Sequence, residues 1–105
     1  MLQIRGNTDK ALDAVADALA GYDTQHPHAK ITVYRQNSVS VRVRIVDPEF
    51  AEVSKADRHD AVWRHFENLP EEVQSQISLL LLLSPDETGI SFANVEFDNP
   101  VASRL

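Results

Sequence analysis

The sequence predicts an α+β domain of two layers, with helices on one face of a small mixed sheet. Three observations carry this reading. An apolar repeat at helical spacing comes first, two β-branched alternating runs (KITVYRQ and SVSVRVRIV) follow, and a second helical stretch leads into the apolar run ISLLLLLS. The predicted order is α-β-β-α-α-β, and the tail has the composition for one further C-terminal strand.

The first helix is expected over residues 8–20, because Leu12, Val15, Ala16 and Leu19 share one face. Asn7 or Thr8 can cap its first turn, and Gly21 supplies the stop. The polar connection YDTQHPHA carries His26 and His28, which flank Pro27 and point to opposite sides of an extended segment, a poor arrangement for chelation. A three-residue loop of Gln36, Asn37 and Ser38 joins the first two strands. It sets Ile31 opposite Val43 and Val33 opposite Val41, and leaves Thr32, Tyr34, Arg42 and Arg44 on the outer face.

In DPEFAEV, Phe50 anchors a loop, and SKAD reads as a capping box that starts a helix running to about Asn68. Pro70 suits the first position of the next helical segment, where Glu71 and Glu72 complement the positive helix end, and Val73 and Ile77 form its inner face. The strand that follows starts at Ile77 or Ser78 and ends at Leu83. Apolar on successive residues, it needs cover on both faces. In the tail GISFANVEFDNP, Ile90, Phe92, Val95 and Phe97 fall at near-alternating positions, which suits a strand, a cover for the sheet or a contact with a second copy in a homodimer.

At 105 residues the whole chain, 1–105, is expected to be a single domain. Sixteen acids against ten bases give a formal charge of −6, which disfavours nonspecific attraction to phosphate backbones or anionic lipid. The absence of cysteine excludes disulfides and thiolate chemistry from this chain. No apolar run approaches the length of a membrane span and the first residues lack a secretory pattern, so a cytoplasmic protein is expected. Ser54 and His59 lie too close on one helix start for a catalytic triad, and no phosphate loop or metalloprotease motif occurs.

The residue that stands out is His59. It precedes Val62, Trp63 and Phe66 by three, four and seven positions, which puts an ionisable ring on the inward stripe. It reads as a core-edge histidine packed on Trp63 with one nitrogen hydrogen-bonded to backbone, Asp57 or Asp60. A metal ligand and an interface contact are its other readings. His65, six positions further on, lies too far round the helix to pair with it.

The element order, together with Asp47, Phe50, the Arg58 and His59 pair and LLLLSPDE, resembles the BolA-like family over about residues 9–87, leaving 88–105 as a C-terminal extension. The resemblance implies a fold akin to class II KH domains and no catalysis. It further implies a regulatory or adaptor role as the partner of a monothiol glutaredoxin in iron–sulfur handling. His59 would then be the interaction residue and the metal ligand for a two-iron cluster shared with that partner, and the isolated chain would carry no cofactor. The family's second ligand is a His or Cys between the first two strands, and RQNSV contains neither. Some members are reported to bind DNA. The surface for nucleic acid here would be Tyr34, Arg42 and Arg44, without the G-x-x-G loop of a KH site and against the acidic charge, so a protein partner is the expectation.

Overall fold

The computed structural model describes residues 1–100, so the last five residues of the predicted extension, 101–105, lie outside the described residues. A hairpin forms the centre of the sheet. Strand β2 (Lys30–Asn37) pairs antiparallel with β3 (Ser40–Val46), both rich in the β-branched residues that suit a pleated, buried surface. Its register differs from the expected one by two residues, with Ile31 opposite Ile45 and Val33 opposite Val43. The turn is the two residues Ser38 and Val39, and the register shifts between Arg35 and Asn37. That bulge absorbs one residue of β2, which lets a short turn keep the apolar side chains on one face. Face assignment survives the error: Thr32 opposes Arg44 and Tyr34 opposes Arg42 on the outer side.

A parallel strand lies on each side of the hairpin, giving the order β1-β2-β3-β4. Strand β1 (Leu2–Arg5), absent from the predicted order, pairs with β2 so that Leu2 faces Ile31 and Ile4 faces Val33. Gly6, at φ +79, then turns the chain in a conformation that favours glycine. Helix α1 (Lys10–Gln25) follows, starting and ending later than expected. Asp9 is its cap, accepting the Leu12 amide at 2.9 Å, and the buried stripe Leu12, Val15, Ala16, Leu19 and Tyr22 carries it past Gly21. Gly21 stops nothing because its φ is not left-handed and Tyr22 prolongs the apolar face by one more turn.

After β3, a 3-10 turn over Pro48–Phe50 leads to α2 (Lys55–Trp63), whose Ser54 cap accepts the Asp57 amide. A further 3-10 turn, Arg64–Phe66, ends the helical stretch just short of the expected Asn68. The one-turn helix α3 (Glu71–Gln74) begins after Pro70, which sits at its cap. Strand β4 (Ile77–Leu83) then pairs parallel with β3, Val43 with Leu80 and Ile45 with Leu82.

Helices α1 and α2 close over the inner sheet face in one core of Leu12, Val15, Leu19, Ile31, Val33, Val43, Ile45, Val62 and Phe66, with Val73 of α3 packed against it. The architecture is α+β with helices on a mixed sheet, as predicted, but β1 makes the sheet four-stranded and helices lie on both of its faces. The tail departs from the strand alternative. Residues Phe92–Asp98 form a fourth helix, α4, capped by Ser91 accepting the Asn94 amide, and it covers the outer sheet face. A strand would have turned Phe92, Val95 and Phe97 variously inward and outward. The helix buries Phe97 completely and leaves Phe92 86% exposed.

Phe97 sits edge-on against Tyr34, ring centroids 4.8 Å apart, and its carbonyl accepts the Tyr34 hydroxyl at 3.0 Å. Phe97→Ala should therefore cost about 3 kcal/mol or more, and removal of residues 90–105 should expose the outer face and promote aggregation. Chemical denaturation and light scattering test both.

Candidate functional site

Helix α2 decides which of two adjacent residues enters the core, and it admits Arg58 instead of His59. Arg58, Val62 and Phe66 are the buried positions, a stripe at intervals of four. The guanidinium donates to the carbonyls of Val53 (2.9 Å), Phe50 (2.7 Å) and Leu82 (3.1 Å) and to the Glu87 carboxylate (2.6 Å). It also lies 5.4 Å from the centre of the Phe50 ring.

His59 is exposed and stacks on Trp63, centroids 5.7 Å apart and planes 9° from parallel. The expected contact with Trp63 is thus present. The expected hydrogen bond is not, because among the described residues neither ring nitrogen has a polar partner. Trp63 itself is half-buried and meets Phe66 edge-on, so the indole bridges an exposed imidazole and the core.

The arginines proposed for nucleic acid are engaged inside the chain. Arg42 pairs with Glu96 and donates to the Tyr34 hydroxyl, while Arg44 reaches Asn94 at 2.9 Å and Asp98 at 2.8 Å. Arg5 of β1 joins them, donating to Asp98 at 3.0 Å. Burial pushes the Asp98 carboxyl up, but Arg44 and then Arg5 outweigh it and hold the group below its ordinary range. Tyr34 is 5% exposed. With α4 in place, Tyr34, Arg42 and Arg44 present no open stacking surface, because the helix supplies the carboxylates that a phosphate would otherwise replace.

A third group of residues escaped the sequence reading. Helix α1 and the turn after β3 bring Tyr22, His26, Asp47 and Glu49 together. The His26 Nδ1 lies 2.8 Å from Glu49 Oε2 and 3.3 Å from Asp47 Oδ2. Asp47 is fully buried, accepting the Tyr22 hydroxyl at 2.7 Å and the Glu49 amide at 2.9 Å. The Tyr22 ring stacks on His26 at 4.0 Å and meets His65 edge-on at 5.6 Å. Burial, then the Asp47 carboxylate, raises the Tyr22 phenol far above its ordinary value and keeps it a donor. Burial, then His26, lowers His65. His28, the other half of the sequence pair, is exposed and takes no part. Sequence spacing held no signal for this group, since its two halves, Tyr22 with His26 and Asp47 with Glu49, lie more than twenty residues apart and meet only when the hairpin forms.

In comparison with known proteins, the structure matches BolA1 from Arabidopsis thaliana with a TM-score of 0.50 at 17% identity, covering 76% of this chain and 98% of that one. No family model and no curated protein matches the sequence. The likeness establishes a BolA-like fold. Among the described residues no helix is long and apolar enough to cross a membrane.

The ion pair that seats α2 has a definite pH signature. The Arg58 guanidinium, helped by the Ser84 amide, holds the Glu87 carboxyl at about 2 against an ordinary 4.5. A carboxyl depressed on folding stabilises the native state above its unfolded value and loses that contribution as pH falls through the folded one. Glu87→Gln should therefore be less stable than the parent at neutral pH, and the difference should close between about pH 4.5 and about pH 2. Urea denaturation of both proteins across that range tests it.

Proposed function

We propose that this BolA-like chain is a non-enzymatic regulatory or adaptor protein that works in the cytoplasm through protein contacts at the α2 face carrying His59. The partner in this reading is a monothiol glutaredoxin, and the group shared with it is a two-iron cluster. The observation that carries the reading is the His59 and Trp63 stack, in which an exposed imidazole is held against an aromatic platform and both its nitrogens are free of partners among the described residues. A structural histidine would spend a nitrogen on its own chain, as His26 does. An interface residue keeps it available, and an aromatic beside it supplies contact area at little entropic cost.

The fold supports the reading through what it does to neighbours. Arg58 is drawn inward by three carbonyls and a carboxylate, and on a helix the next residue must then lie some 100° round the cylinder, toward solvent. As a donor set for a cluster, the α2 face offers one imidazole, and the turn at Ser38 and Val39 adds neither His nor Cys. Such a face fits one ligand of a shared cluster whose other ligands come from the partner. Bound there, the cluster would supply electron-transfer chemistry. This chain's own contribution is to hold the imidazole and shield it on one side with the indole.

Titrating the protein into a monothiol glutaredoxin loaded with a two-iron cluster should alter the visible absorption and circular dichroism. His59→Ala should abolish that change and leave the unfolding midpoint unaltered, because the ring is exposed. Trp63→Ala should weaken binding and also lower stability by about 2 kcal/mol, since the half-buried indole packs on Phe66. A His59→Ala variant that loses stability, in a protein that never alters the cluster spectrum, would sink the proposal.

A further inference from the structure

We propose that His26, Asp47 and Glu49 form a binding site for a divalent cation of the zinc class, distinct from His59 and independent of the reading given to it. The three offer one ligand atom each, and these atoms all lie within 4.8 Å of one another. One imidazole and two carboxylates, without a thiolate, suit borderline divalent ions such as Zn²⁺ or Co²⁺ and not soft monovalent copper.

Two of the three separations are close to those around a common centre. Ligand atoms bonded to Zn²⁺ at about 2.1 Å lie roughly 3.0 to 3.4 Å apart along the edges of an octahedron or a tetrahedron. His26 Nδ1 stands 2.8 Å from Glu49 Oε2 and 3.3 Å from Asp47 Oδ2. Charge argues the same way. Two carboxylates converge on a single nitrogen, and one of them is wholly buried, so a neutral imidazole would leave two negative groups side by side. An imidazolium offers one proton to two acceptors, whereas a divalent ion meets both carboxylates and the nitrogen at once.

The groups behind the ligands are those a metal site needs. The Tyr22 hydroxyl and the Glu49 amide fix the two Asp47 oxygens, and the Tyr22 ring fixes the plane of His26. Such outer partners orient ligands and preserve their basicity. On the other side the site opens into a groove of about 490 Å³ lined by Tyr22, Gln25, Phe50, Arg64 and His65 among others, with the Glu49 side chain 63% exposed at its rim. Water or a small anion entering from the groove would complete the coordination, and Arg64 lines its wall.

Calorimetric titration of the full chain with Zn²⁺ alone, near neutral pH in a non-chelating buffer, should show one saturable site, and Co²⁺ should bind there with weak visible absorption. Glu49→Gln, at an exposed position that does not threaten the fold, and His26→Gln should each weaken binding at least tenfold. Tyr22→Phe should weaken it about 10- to 100-fold by releasing Asp47. His28→Gln and His59→Gln should leave it unchanged. No saturable Zn²⁺ binding in the parent protein, or binding undiminished in both His26→Gln and Glu49→Gln, would overturn the assignment.

Discussion

Arg58 is the side chain on which the arrangement of the inner layer depends. A guanidinium 4% exposed carries a large desolvation cost, which is offset only when its donors are used. Here they are shared among the turn after β3, the residue before the α2 cap, the end of β4 and the turn that follows it. Two stretches distant in sequence, residues 50–53 and 82–87, are thereby referred to one planar group, whose fork geometry a lysine could not reproduce. The rotation of α2 about its axis follows from this, and with it the outward placement of His59.

The outer face uses arginine differently. Arg5, Arg42 and Arg44 bond mainly to side chains of a seven-residue helix, with Asp98 46% exposed, so this layer rests on pairs that salt can screen and on one buried ring, Phe97. Arg42 even keeps its buried Nε without a partner among the described residues. Cover on this side answers the need that the β4 sequence announces: Leu79 and Leu81, in register with Arg42 and Arg44, lie on the side that α4 occupies and are only half-exposed.

The inner architecture was legible because its signals are local and periodic. The α1 stripe and the alternating hairpin bury the residues their spacing implies, the run of leucines forms the expected strand with Leu82 and Leu83 buried, and Phe50 is buried in its loop as expected. What escaped depends on contacts that spacing does not encode. Strand β1 offers only Leu2 and Ile4 as alternation and becomes a strand by pairing with β2. The hairpin register turned on a bulge at Gln36, invisible to a count that assumes regular pairing. In the tail, alternation was misleading because Ser91 caps a helix and Phe97 alone is fully buried. At the candidate site, the stripe rule rightly marked Val62 and Phe66. It favoured the aromatic-looking His59 over Arg58, although Arg58 stands at the i−4 position to Val62, because a buried guanidinium is intelligible only once the four acceptors around it are known.

The sheet order also sets how the molecule comes apart. Every pair of neighbouring strands is consecutive in sequence, but only β2 and β3 are joined by a tight turn; β1 and β4 are each linked to the sheet by a crossover through a helix and paired on one side alone. The four-residue β1 is held by that pairing, by the packing of Leu2 and Ile4 and by the exposed Arg5 pair with Asp98, whereas β4 is fastened at its end by the buried Arg58 bond to Leu82. Native-state opening should therefore be graded across the sheet, with the amides of β1 exchanging first and those around Val33 and Val43 exchanging only on global unfolding. That order of exchange would make the edge carrying β1 the first side of the fold to open.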